Sequence, residues 1–155
     1  GFFLDRSHLG TTTDLEQHKG LQRSLFMYNK FEDLLSDLKQ SRPSQQTPNG
    51  PVYFFNDHPV WFGAGEMEGV HWADIHIELK HFILDNLNAT KKVLQANREM
   101  GMSTPIPTWF AINEKTDRLI LVNRLDWRHI SCKILEDHVL RCIEQMGEAL
   151  RTEGV

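Results

Sequence analysis

The feature that most constrains the fold is the run from Ser131 to Thr152. Leu135, Val139, Cys142, Ile143, Met146, Ala149 and Leu150 recur there at steps of three and four, which lays one continuous apolar stripe along a helix. Such a stripe has to be covered. The segment just before it, Trp109 to Leu125, has the composition of a hairpin, because Ile112, Ile120, Leu121, Val122 and Leu125 are strand formers flanking the polar link Glu114-Lys115-Thr116-Asp117. The whole stretch from Asn88 to Gly154 therefore reads as helix, strand, hairpin, strand and long helix, and predicts one helix lying across a twisted antiparallel sheet.

The upstream half must fit around that frame. Leu25 to Lys39 forms the first expected helix, with Met27, Phe31, Leu34, Leu35 and Leu38 on one face and Ser24 as its N-cap. Pro43, Pro48 and the pair Asn49-Gly50 make Ser41 to Pro51 an expected flexible loop. Val52 to Phe55 and Val60 to Gly63 are expected strands around the turn Asn56-Asp57-His58-Pro59, followed by a turn over Gly65 to Gly69. Ala73, Ile75, Ile77 and Leu79 then alternate with Asp74, His76, Glu78 and Lys80, the pattern of a strand with one face in the core and the other in water. His81 to Leu84 is expected to prolong it or form the next strand. Asn88 is the expected cap of a helix from Ala89 to Met100 that stops at Gly101, and Pro105 and Pro107 force an extended entry into the strand Thr108 to Asn113.

The expected fold class is α+β in the order α-β-β-β-α-β-β-α, a twisted antiparallel sheet packed by helices. Residues 27–155 form one expected domain, and residues 1–26 an N-terminal arm whose apolar cluster Phe2, Phe3 and Leu4 needs a surface to leave water.

Composition excludes several partners. Of the 155 residues 25% are charged, the net charge is -4, and the lysines and arginines are scattered, so neither nucleic acid nor an anionic membrane finds an electrostatic footprint. No apolar run is long enough to span a bilayer, and the N-terminus lacks the pattern of a signal peptide. Cys132 and Cys142 lie about 15 Å apart along one predicted helix, beyond disulfide reach, and read as free thiols of a reducing compartment. A cytoplasmic location is expected.

Candidate chemistry is sparse. Asp74, His76 and Glu78 share a strand face, but His71 and His81 point to the other face, so a metal-dependent enzyme built on that row lacks a further ligand. Gly63-Ala64-Gly65 is followed by no helix N-terminus and reads as turn punctuation. Neither cysteine stands in a nucleophile motif, and Asn88-Ala89-Thr90, although a glycosylation acceptor by pattern, is needed as a cap. No catalytic residue, metal or cofactor is expected. The positive signal is apolar: Tyr53, Phe54, Phe55, Trp61, Phe62, Trp72, Trp109 and Trp127 exceed what one small sheet layer hides, which points to protein binding, with a dimer partner, a client segment or both.

One family resemblance follows. Val93-Leu94-Gln95-Ala96-Asn97, then Trp109 to Asn113, Arg118 to Val122, and Leu135-Glu136 through Cys142 to Met146 resemble the bacterial type III secretion chaperones of the Tir chaperone type. Met27 to Leu35 looks like the beginning of that family's first helix, and the element order above is similar to its fold. The likeness covers about Met27 to Thr152 as apolar pattern and is strongest from Val93 onward; Val52 to Leu84 matches only in strand count. It implies a cytoplasmic homodimer, not an enzyme, that binds the N-terminal segment of a secreted effector in an extended state and keeps it competent for export. On this reading Phe31, Leu34, Leu35, Leu38, Phe54 and Trp61 contact the effector, and Val93, Leu94, Asn97, Ile120 and Val122 form the dimer interface. The alternatives are a regulatory or scaffold dimer of the same fold, and the small metal enzyme of the Asp74, His76 and Glu78 row.

Overall fold

The computed structural model describes residues 28–150. The expected arm, the cap Ser24 and the end of the last helix at Thr152 lie outside the described residues. In chain order the elements are α1 (Phe31–Ser41), β1 (Ser44–Thr47), β2 (Gly50–Phe55), β3 (His58–Met67), β4 (Val70–Glu78), α2 (Leu87–Ser103), β5 (Thr108–Asn113), β6 (Arg118–Leu125) and α3 (Cys132–Leu150). The described residues thus form an α+β fold of three helices and one six-stranded antiparallel sheet, with strand order β1-β2-β3-β4-β6-β5.

The first four strands form a meander closed by tight turns. Asn56 and Asp57 adopt φ of 49° and 68° between the paired residues Phe55 and His58, the doubly left-handed turn whose twist matches that of flanking strands. Glu68 and Gly69, at 52° and 81°, do the same between Met67 and Val70. Consequently β3 runs on to Met67, through the Gly65 to Gly69 segment in which the sequence predicts a turn.

Three further boundaries differ from expectation, each for a local reason. Ser44–Thr47 is a strand rather than loop: it pairs antiparallel with β2 around Pro48-Asn49, and the positive φ falls on Gly50, at 115°. Tyr28, Asn29 and Lys30 are not helical, so α1 begins at Phe31 without a side-chain cap, and Glu32 and Asp33 in its first turn face the positive end of the helix dipole. The cap of α2 is Asn86, whose Oδ1 accepts the Ala89 N–H at 2.9 Å; Asn88 lies inside the helix, which continues past Gly101 to Ser103. At α3, Ser131 caps as a hydroxyl should, accepting the Ile134 N–H at 3.2 Å. His81 to Leu84 is neither strand nor helix.

All three helices meet one face of the sheet. Leu34 and Leu38 of α1, Val93 and Ala96 of α2, and Val139 and Met146 of α3 join Phe55, Ile75, Ile77 and Leu121 in a single apolar core. Fully burying one such side chain contributes about 1.5–3 kcal/mol, so this cluster dominates stability. Trp127, counted above among the surplus aromatics, belongs to it: it is 5% exposed, with its ring 5.6 Å from that of Phe31. At the outer edge α2 lies along β5, and Asn97 clamps the strand. Its Nδ2 donates to the Phe110 carbonyl at 3.2 Å, and its Oδ1 accepts the Phe110 N–H at 2.5 Å. One amide side chain thereby replaces a neighbouring strand at that point of the edge.

Candidate functional site: the open face of the sheet

Alternation along each strand puts a second set of side chains on the face away from the helices. Among the described residues no helix covers that face. Its central row crosses four strands, with Trp61 paired to His76, His76 to Val122, and Val122 to Trp109. Val52 and Phe54 of β2 lie on the same side, because Tyr53 and Phe55 point into the core. Val122 and Ile120 are only 4% and 7% exposed, hemmed in by their larger neighbours, yet neither joins the core under the helices. The result is a half-exposed aromatic surface with a closed apolar floor.

Two stacked groups shape it. The Trp61 and His76 rings are parallel within 3°, with centroids 5.4 Å apart. The His76 Nδ1 is buried there without a hydrogen-bond partner, an unmet cost that a ligand or water would relieve. On the other side, Trp72 lies flat over Gly65: a Cβ at that glycine would stand 2.5 Å from the Trp72 ring, so only glycine admits the indole. The Arg124 guanidinium sits 4.8 Å from the Trp72 centroid and 5.9 Å from that of Trp109, held in place by Asp74 at 2.7 and 3.0 Å. Between the tips of the β1–β2 and β5–β6 hairpins the face deepens into a groove of about 620 Å³, lined by Val52, Trp61, His76, Ile120 and Asn113 among others.

The carboxylates of the Asp74, His76 and Glu78 row are already engaged. Asp74 is occupied by Arg124, and Glu78 accepts from Thr116 at 3.2 Å and from Asn113 at 3.5 Å. Among the described residues no group of three or more histidine, cysteine, aspartate or glutamate side chains is placed to hold a metal ion.

A constellation invisible in the sequence lies between β6 and α3. His138 Nε2 is 2.7 Å from Asn123 Oδ1 and 3.6 Å from Cys142 Sγ, and Asn123 donates to Thr108 Oγ1 at 2.8 Å. The residue types are those of a cysteine–histidine–asparagine relay, but such a relay needs thiol and amide on opposite ring nitrogens, and here both meet the same one. Burial also pushes the Cys142 thiol up to about 11, far from thiolate at neutral pH. Cys132 is likewise raised to about 11, by burial first and then by Glu136. Burial, with Arg141 adding to it, pulls the His138 imidazole below its ordinary value. This cluster is a structural network between sheet and helix.

The residues singled out for effector contact do not come together. Leu34 and Leu38 are 0% exposed and Phe31 is 9% exposed, all beneath α1 in the core, and Leu35 is partly buried at the core margin. Phe54 and Trp61 lie on the open face. The residues singled out for a dimer interface divide as well: Val93 is in the core, Asn97 clamps β5, Ile120 and Val122 floor the open face, and Leu94 is 63% exposed on α2. Trp72, Trp109 and His76 belong to the site by geometry; their signal in the sequence is alternation with core residues such as Ala73, Ile75 and Phe110.

No family model matches this chain, and neither does any curated protein or solved structure. Among the described residues no helix is long and apolar enough to cross a membrane.

Proposed function

We propose that this protein is a cytoplasmic chaperone of bacterial type III secretion, which holds the N-terminal segment of a secreted effector in an extended state for export. The observation that carries this reading is the sheet face that no helix covers among the described residues, in which Trp61, Trp72 and Trp109 stand over the buried floor of Ile120 and Val122. A partly exposed aromatic surface over an apolar floor suits an interaction site, and the groove of about 620 Å³ in it suits an extended chain better than a folded one. The resemblance in the sequence supplies the client and the pathway. The effector contacts are then Phe54 and Trp61 together with Trp72 and Trp109, while Phe31, Leu34 and Leu38 act indirectly by supporting the sheet. The working form is a homodimer, for which Leu94 of α2 and Ile112 of β5, 53% exposed, are two of the exposed apolar positions available to a second copy.

Titrating the protein with the N-terminal segment of an effector encoded beside its gene tests the reading by calorimetry. Saturable binding is expected, weakened by about ten-fold or more in Trp61→Ala, the loss of a central aromatic contact. Hydrogen exchange of the bound segment should show protection only where it touches the chaperone. Wild-type affinity in Trp61→Ala would remove the open face from the proposal. Light scattering should give about twice the 18.0 kDa of the chain, and about 18.0 kDa for Leu94→Glu; a wild-type monomer would sink the dimer.

A further inference from the structure

A second cavity lies on the helix side of the sheet, at the C-terminal end of α3. A pocket of about 280 Å³ opens there between α3 and the segment following β4, with Leu79, Phe82, Ile143, Met146 and Leu150 as its apolar lining. The polar side chains in its wall are Lys80 and the imidazoles of His58 and His81, with no carboxylate among the described lining residues; His58 Nδ1 is already 3.3 Å from the Glu78 carbonyl. Among the described residues neither Lys80 nor His81 has a side-chain ion pair or hydrogen bond. Lys80 is thus an unpaired cation beside an otherwise largely apolar pocket, on a chain of net charge -4.

Two further observations bear on what fills this pocket. Beyond Leu79, whose N–H still donates to the Leu119 carbonyl at 2.9 Å, no hydrogen bond among the described residues reaches the peptide groups of His81, Phe82, Ile83 or Leu84. Yet their side chains alternate as in a strand: Phe82 and Leu84 turn inward, and Ile83 is 69% exposed. The segment, neither strand nor helix, therefore offers an edge of unpaired peptide groups beside the pocket. The rim also contains Gly147, exposed on α3, where glycine costs about 0.5–1 kcal/mol relative to alanine. A Cβ there would meet nothing within 4 Å, so packing does not demand the glycine; its effect is to keep the pocket open.

We infer that the pocket and the His81–Leu84 edge together form a docking site for an extended peptide segment of a partner protein, one that carries an apolar anchor residue flanked by carboxylates. The anchor fills the pocket beside Gly147, the backbone pairs with Phe82 and Leu84, and the carboxylates meet Lys80 and the neighbouring His81. The site is separate from the open face and stands whether or not the chaperone reading holds.

The probe is a capped seven-residue peptide with a central leucine between valines and an aspartate near each end, added to the full-length protein. Saturable binding is expected, with slowed hydrogen exchange at the amides of His81 to Leu84. Gly147→Leu adds a side chain beside the pocket, where a Cβ has open space, and favours the helix, so it should leave the melting temperature unchanged or higher while abolishing binding. Lys80→Glu should weaken binding by about ten-fold, a peptide with lysines for aspartates should bind no better than that, and Trp61→Ala should leave this peptide's affinity unchanged. Absence of saturable binding, full binding by Gly147→Leu, or equal affinity for the lysine peptide would each overturn the proposal. So would protection of the same amides in the free protein that grows with its concentration, which would assign the edge to a second copy.

Discussion

At the scale of single residues, side chains that replace other structure carry much of the specificity. Gly65 exists to let Trp72 lie on β3, and Gly65→Ala forces the indole off the sheet. The expected cost is about 1–3 kcal/mol, the usual range for overpacking, read as a lower urea midpoint together with a changed near-UV tryptophan signal. A change confined to the near-UV signal would mean that the indole relocates freely. Asn97 acts in the opposite sense by filling a gap: Asn97→Ala leaves both peptide groups of Phe110 without protein partners, at about 1–3 kcal/mol. His138 gives the fold a dependence on acid. Its folded-state value lies below the ordinary 6.5, so between the two values the native state binds fewer protons than the unfolded chain. Its contribution is complete above about pH 6.5 and declines as the pH falls through the folded value. Urea midpoints measured at pH 7.5 and 5 should therefore fall less in His138→Gln than in wild type; parallel losses would exclude His138 as a source of the acid limb.

At the scale of elements, legibility followed the apolar period. The α3 stripe and the β4 alternation could be read because each faces a single core, and α3 buries Leu135, Val139, Cys142, Met146 and Leu150 at the anticipated spacing. By contrast β1 is Ser-Gln-Gln-Thr with no buried side chain, so it leaves no pattern to read; only its pairing with β2 makes it a strand. The caps failed for another reason. Asn86 and Asn88 have the same chemistry, and the choice between them depends on where the chain arrives from Leu84, which periodicity does not encode. Asn86→Ala should cost about 1 kcal/mol in thermal or urea unfolding, whereas Asn88→Ala, inside the helix, should be neutral or slightly stabilising. A reversed order would mean that the helix starts two residues later than described.

At the scale of the whole molecule, the sequence could show that apolar side chains are in surplus but not which layer they serve. In β2 and β3 both faces are apolar, so period-two alternation separates Tyr53 and Phe55 from Val52 and Phe54 without saying which pair is inside. The helices decide it, and they do so by consuming Phe31, Leu34 and Leu38, which sequence reasoning had assigned to a client. The open face is what remains. Its aromatic character was legible; its composition of Trp61, Trp72, Trp109 and the orphaned His76 nitrogen required the register between strands.

The strand order also sets a sequence of events in time. From β1 to β4 every neighbour in space is a neighbour in the chain, so four strands can assemble by closing short loops. The pairing of β4 with β6 joins segments separated by α2 and the whole of β5, and it completes the sheet only when the β5–β6 hairpin arrives. Contacts of such sequence separation are slow to form. Docking of that hairpin is accordingly the expected late step, so that Ile120→Val chiefly accelerates unfolding while Ile75→Val chiefly slows refolding in stopped-flow experiments. A chain leaving the ribosome would thus hold a finished meander, and a temporarily bare β4 edge, until its last third has been made.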